Sequence, residues 1–138
     1  MKILILCSGN SCRSQMAESF LKSLDPKLEV ISAGTEPGEY VHPKAIEVMK
    51  EEGIDLSNNF PKNVSEFIDQ TFDFVITVCD DAKESCPVFT GKVNHRLHIG
   101  FDDPAKVSGS NEYVLSEFRR IRDEIKRDFT VFYNKYIK

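Results

Sequence analysis

The run Cys7-Ser8-Gly9-Asn10-Ser11-Cys12-Arg13-Ser14 combines a thiol with the groups needed to hold an anion in front of it. A short loop that runs into a helix turns several backbone N–H groups inward, and the helix dipole adds to their field, making a cradle for a tetrahedral oxyanion. Gly9 and Asn10 tolerate the left-handed conformations that such a turn needs. Arg13 supplies a planar, permanently charged fork able to hold two oxygens at once. The same positive field should lower the proton affinity of Cys7, since thiols so placed ionise at about 3.5–7.5 instead of about 8.5. The expectation is an ionised nucleophile at neutral pH.

Two more cysteines and one aspartate stand where they can extend this chemistry. Cys79 follows the apolar run Phe72–Val78, Cys86 comes seven positions later, and Asp103 precedes Pro104. If one helix spanned Cys79 to Cys86, its rise would separate the two Cα atoms by about 10.5 Å, more than the roughly 4.4–6.8 Å a disulfide accepts. A bond between them would require the segment to unwind. Asp80, Asp81, Lys83 and Glu84 make it polar, and Pro87 interrupts any helical continuation. Asp103 before proline reads as a loop residue whose carboxyl can protonate a departing oxygen. Plainer readings stand beside these. Cys79 and Cys86 can be two small hydrophobes, and Asp102-Asp103 a polar turn. The spacings Cys-x4-Cys and Cys-x6-Cys are poor for zinc. Cys12 is read as a packed, shape-setting member of the loop. His42, His95 and His98 lack ligand-like spacing and are read as surface or capping residues.

The loop needs a frame, and the pattern of apolar residues supplies one. Lys2–Leu6 reads as a wholly apolar strand, and its apolar run is far shorter than a secretory leader needs. A helix follows from about Gln15, with Met16, Phe20 and Leu24 on one face, until Asp25-Pro26 stops it. Leu28–Ala33 predicts a second strand, His42-Pro43 opens a helix carrying Ala45, Val48 and Met49, and Gly53 closes it. Phe72–Val78 is a third strand and Lys92–Leu97 a weaker fourth. From Asn111, the residues Val114, Phe118, Ile121, Ile125, Phe129 and Phe132 keep the steps of a long amphipathic helix. Strands alternating with helices predict an α/β fold, a three-layer sandwich around a mainly four-stranded parallel sheet. Its ligand crevice should lie at the carboxyl ends of the strands, where Cys7 and Cys79 both fall.

The 138 residues fit one domain, 1–138, with no repeat or linker to divide it. A net charge of -4 with scattered basic residues argues against a nucleic-acid partner. No run approaches the roughly 20 apolar residues that cross a bilayer, so the expected place is the cytoplasm, where the four cysteines would be mostly reduced.

The segment from Cys7 to Glu18, continuing past Arg13 as Ser14-Gln15-Met16-Ala17-Glu18, resembles the signature of arsenate reductases built on the low-molecular-weight protein tyrosine phosphatase fold. Ser32-Ala33-Gly34, Pro43-Lys44-Ala45, the Cys79/Cys86 pair and Gly100–Ala105 fall in that family's order, so the resemblance covers almost the whole chain. It implies that Cys7 is the nucleophile and that Arg13 and the loop N–H groups of Ser8 to Ser14 bind the oxyanion. Asn10 and Ser14 would organise the loop, and Asp103 would be the general acid. It further implies a relay in which Cys79 attacks Cys7 after arsenic is bound and Cys86 attacks Cys79, with thioredoxin as the usual final reductant, glutaredoxin with a small thiol as the alternative, and no cofactor. A phosphatase of the same fold would share Cys7, Arg13 and Asp103 without needing Cys79 or Cys86. Such phosphatases tend to have proline at the position of Gln15 and aromatics where Ala105-Lys106 stand. Ile99 replaces a tryptophan common among relatives. Lys62 stands near an acid that in some of them helps bind a monovalent cation beside the counterparts of Asn10, Glu18 and Ser32; a lysine there can replace the cation's charge.

Overall fold

A computed structural model describes residues 1–138. Four parallel strands form the sheet: β1 (Lys2–Cys7), β2 (Glu29–Gly34), β3 (Phe72–Thr77) and β4 (Val93–His98), in the order β2-β1-β3-β4. β1 is central because it is apolar on both faces: Ile3, Leu4, Ile5 and Leu6 are fully buried, as a strand inside a parallel sheet must be. β4 is an edge strand with mostly exposed residues, which accounts for its weak apolar signal. Each strand lies within one residue of the expected boundaries.

The helices are α1 (Arg13–Leu24), α2 (Pro43–Lys50), the short α3 (Asp80–Glu84) and α4 (Asn111–Tyr136). α1 starts at Arg13, inside the loop, instead of at Gln15. Leu24 was expected on its buried face but is 41% exposed, because the helix ends there; Leu21, fully buried in the same turn, takes that role. Pro43 sits at the start of α2, and Gly53, at φ +75°, permits the reversal after it. α4 buries Leu115, Phe118, Ile121, Ile125, Phe129 and Phe132 along one stripe, which packs against α1 and α2.

β1 lies between β2 and β3, so the chain leaves β1 toward one side of the sheet and later returns on its other side. Such a reversal of strand order opens a crevice at the carboxyl ends of the strands. The loops that follow β1 and β3 lie there, one carrying Cys7 and the other Cys79.

Candidate active site

Cys7 is the last residue of β1 and Arg13 the first of α1, so the loop is clamped between two regular elements. Asn10 adopts φ 50°, the left-handed turn expected of it, whereas Gly9 is not needed there. The carbonyls of the loop face outward onto a second segment: Thr35, Glu36, Gly38 and His42 donate backbone N–H groups to the oxygens of Cys7 (3.2 Å), Ser8 (2.9 Å), Gly9 (2.9 Å) and Ser11 (2.8 Å). Turning the carbonyls out leaves the N–H groups facing in, toward Cys7. Asn10 N–H donates to Cys7 Sγ at 3.1 Å, and Cys7 Sγ lies 2.9 Å from Ser14 Oγ. Asn10 Nδ2 donates to Ser14 Oγ at 2.7 Å, which leaves the serine hydroxyl proton free to point at sulfur.

Three features outside the loop brace it, and none was legible in the sequence pattern. Gln15, fully buried, donates to the carbonyls of Asn10 (3.0 Å) and Phe60 (3.2 Å). Lys62 N–H donates to Asn10 Oδ1 at 2.9 Å. At Gly34 an added Cβ would lie 2.4 Å from the Ser8 carbonyl, so only glycine lets β2 pass the loop.

Cys7 itself is 2% exposed. Burial pushes its thiol up, while the Ser14 hydroxyl and N–H, the Arg13 charge and the Asn10 N–H act in the opposite sense. This corrects the expectation of a thiol already lowered by its positive surroundings, because desolvation is the larger effect. Cys12, 5% exposed, is likewise raised by burial and behaves as the packed residue expected.

Arg13 points from the loop to the Asp103 segment. Its Nη1 donates to the Phe101 carbonyl at 3.0 Å, and its Nη2 lies 3.4 Å from Asp103 Oδ2. Asp103 Oδ1 accepts from Ala105 N–H at 2.9 Å, which caps the turn Pro104–Lys106 and fixes the carboxyl's direction. Arg13, Cys79 and Asp103 line one polar cleft of about 550 Å³ beside the loop. Cys79 caps α3, its Sγ accepting from Ala82 N–H at 3.4 Å.

Cys86 is set apart. It lies beyond the end of α3, half-buried, and lines a different cleft of about 290 Å³ with Lys83 and Arg96. All four cysteines are free thiols. The histidines are capping or packing residues: His42 Nδ1 accepts from Lys44 N–H, His98 lies 2.7 Å from Thr77 Oγ1, and His95 stacks on Phe74. Glu18 pairs with Lys22 at 2.9 Å, and the half-buried Lys62 ammonium lies in its field; Ser32 Oγ is buried without a partner. Lys22 and Lys62 thus place positive charge beside Glu18.

The model of the low molecular weight phosphotyrosine protein phosphatase family matches residues 2–138. The chain belongs to that family. Within it, the chain is 44% identical to the arsenate reductase of Halalkalibacterium halodurans, over 94% of this chain and 93% of that one. It is 45% identical to the arsenate reductase of Bacillus subtilis, over 89% and 88%. A solved structure described as an arsenate reductase in oxidized state superposes with a TM-score of 0.79 at 31% identity, covering 97% of each chain. The fold of the phosphatase family is therefore shared with a solved reductase.

Proposed function

We propose that this chain reduces arsenate to arsenite. The observation that carries the reading is Cys79, a thiol lining the same cleft as Arg13 and Asp103, where hydrolysis of a phosphate ester would need none. The names of the relatives support it.

In this reading Arg13 and the loop N–H groups of Ser8 to Ser14 hold three arsenate oxygens, as inward donors hold a tetrahedral anion. Cys7 Sγ, as thiolate, attacks arsenic, and Asp103 gives its proton to the departing oxygen, which leaves as water. Cys79, as thiolate, then attacks Cys7 Sγ. The sulfur–arsenic bond breaks, its electron pair goes to arsenic, arsenite leaves, and a Cys7–Cys79 disulfide remains. Cys86 attacks Cys79 Sγ, expelling Cys7 as thiolate and leaving Cys79–Cys86 for a dithiol protein, thioredoxin, to reduce. The whole chain acts as one domain in this cycle, and its thiols require a reducing compartment, the cytoplasm.

The test is arsenate-dependent oxidation of NADPH with purified thioredoxin and thioredoxin reductase. Sustained turnover that vanishes in Cys7→Ser and in Cys79→Ser is the expected result; turnover retained by either variant overturns the reading. Because Cys7, Arg13 and Asp103 also suffice for ester hydrolysis, weak cleavage of an aryl phosphate should survive Cys79→Ser. Loss of both activities together in that variant would refute this division between the cysteines.

A further inference from the structure

We propose that Arg96 is the positioning residue that makes Cys86 the attacking thiol of the relay, by holding its guanidinium beside the Cys86 sulfur in the cleft between α3 and β4. The inference rests on the reading of Cys86 given above, and it concerns residues outside the oxyanion loop.

Arg96 lies on the edge strand β4, paired in register with Val75. Its guanidinium is 5.4 Å from the centre of the Phe89 ring, and Phe89 packs edge-on against the buried Phe72. The planar cation is thus anchored on an aromatic face instead of being free to sweep through solvent. Arg13, Arg119, Arg120, Arg122 and Arg127 each pair with a carboxylate. Arg96 alone among the arginines pairs with none, and it lines the same cleft as the Cys86 thiol, whose sulfur otherwise donates only to the Pro87 carbonyl, at 3.7 Å. Burial pushes that thiol up, and the Arg96 charge acts in the opposite sense. The other titratable groups lining the cleft are Lys83 from α3 and His98 from β4, and His98 is already engaged by Thr77 and Asp80.

The chemistry requires such a group at this step. Cys86 must give up its proton to solvent before its sulfur attacks Cys79 Sγ; the Cys86–Cys79 bond forms, the Cys79–Cys7 bond breaks, and Cys7 departs with the electron pair. A neighbouring cation raises the thiolate fraction before the attack. Removing the Arg96 charge should therefore lower the thiolate fraction of Cys86 at pH 7.

The test follows alkylation of Cys86 by iodoacetamide in the reduced protein against pH, read peptide by peptide with mass spectrometry, in wild type, Arg96→Met, Arg96→Gln and Arg96→Lys. The midpoint for Cys86 should rise by about one unit in the Met and Gln variants and return most of the way in Lys, while the Cys7 profile stays put and reports an intact fold. Single-turnover arsenite release, which needs only Cys7 and Cys79, should equal wild type, and steady-state turnover should fall about tenfold. An unchanged Cys86 midpoint in both the Met and Gln variants overturns the role of Arg96. Because the alkylation profile needs no arsenate, failure of the reductase reading would show separately, as absence of turnover in wild type.

Discussion

Ser14 shows how a single hydroxyl tunes the site. Its oxygen accepts from Asn10 Nδ2 and so turns its own proton toward Cys7 Sγ, at 2.9 Å. Hydrogen bonds to a charged group are worth about 1.5–3 kcal/mol, so Ser14→Ala should slow the Cys7 step by about ten- to a hundredfold. The sign with pH follows from burial: Cys7 is held up, so the thiolate and the rate grow as pH rises, and removing the hydroxyl moves that rise to still higher pH. A pH–rate profile of single-turnover arsenite release checks this, and a limb that stays in place or moves to lower pH would contradict it. At this scale the sequence displayed Cys7, Arg13 and Asn10 openly, because their types and spacing are themselves the chemistry. It hid Gln15 and Gly34, whose parts depend on what folds against them. It also misjudged Cys7, since composition reports the charges around a thiol and says nothing of how deeply the thiol is buried.

Among the elements, α3 carries the unusual demand. Its five residues separate Cys79 at one end from Cys86 beyond the other, and the two thiols open into different clefts. The proposed relay would join them by melting the helix, at low cost because so short a helix has little stability of its own. Oxidised wild type should therefore lose amide protection across residues 80–86 relative to the reduced form, measured by hydrogen exchange. Equal protection in the two states would show that the disulfide forms without unwinding, or does not form. Spacing alone raised the question of movement, because one helix over seven positions would exceed the reach of a disulfide. Where α3 stops was less so, as Ser85 ends it before Pro87 can.

Across the whole molecule, α4 ties the fold together at a distance from the chemistry. Arg122, 8% exposed, reaches from α4 to α2, donating to the Val48 carbonyl at 2.9 Å and to Glu51 Oε1 at 2.6 Å. Arg119 grips the same carboxylate, and hydrogen bonds from Arg119 and Arg122 hold Glu51 at about 2. A depressed folded value means stability that is full above the ordinary 4.5 and drains away as pH falls toward 2. Glu51 is 37% exposed on its side chain, so solvent screening keeps the effect modest. Glu51→Gln should flatten the decline in melting temperature over that window, and a decline as steep as wild type would exclude this pair as its source. Phe118, fully buried where α4 meets His42, is the opposite case: Phe118→Ala should cost about 3–5 kcal/mol of stability at every pH, read by denaturant unfolding. The alternation of strands and helices and the stripe of α4 announced this architecture in advance. The ion pairs did not, since charged residues on a long helix look alike until a neighbour is packed against them.

Leu6 of β1 stands opposite Thr77 of β3, and Val78 N–H donates to the Leu6 carbonyl at 2.9 Å. One step beyond Leu6 is Cys7, and two beyond Thr77 is Cys79. The ladder of main-chain hydrogen bonds therefore works as a ruler, setting where each sulfur starts before any side chain is chosen. The first redox step of the proposed relay then needs only a thiol at the right rung of an anion-binding fold, with Cys86 left to complete the cycle. By the same measure, an insertion of one residue in β3 should abolish arsenite release while Cys7 still cleaves an aryl phosphate, because the ruler would be misread by one mark and the loop left whole.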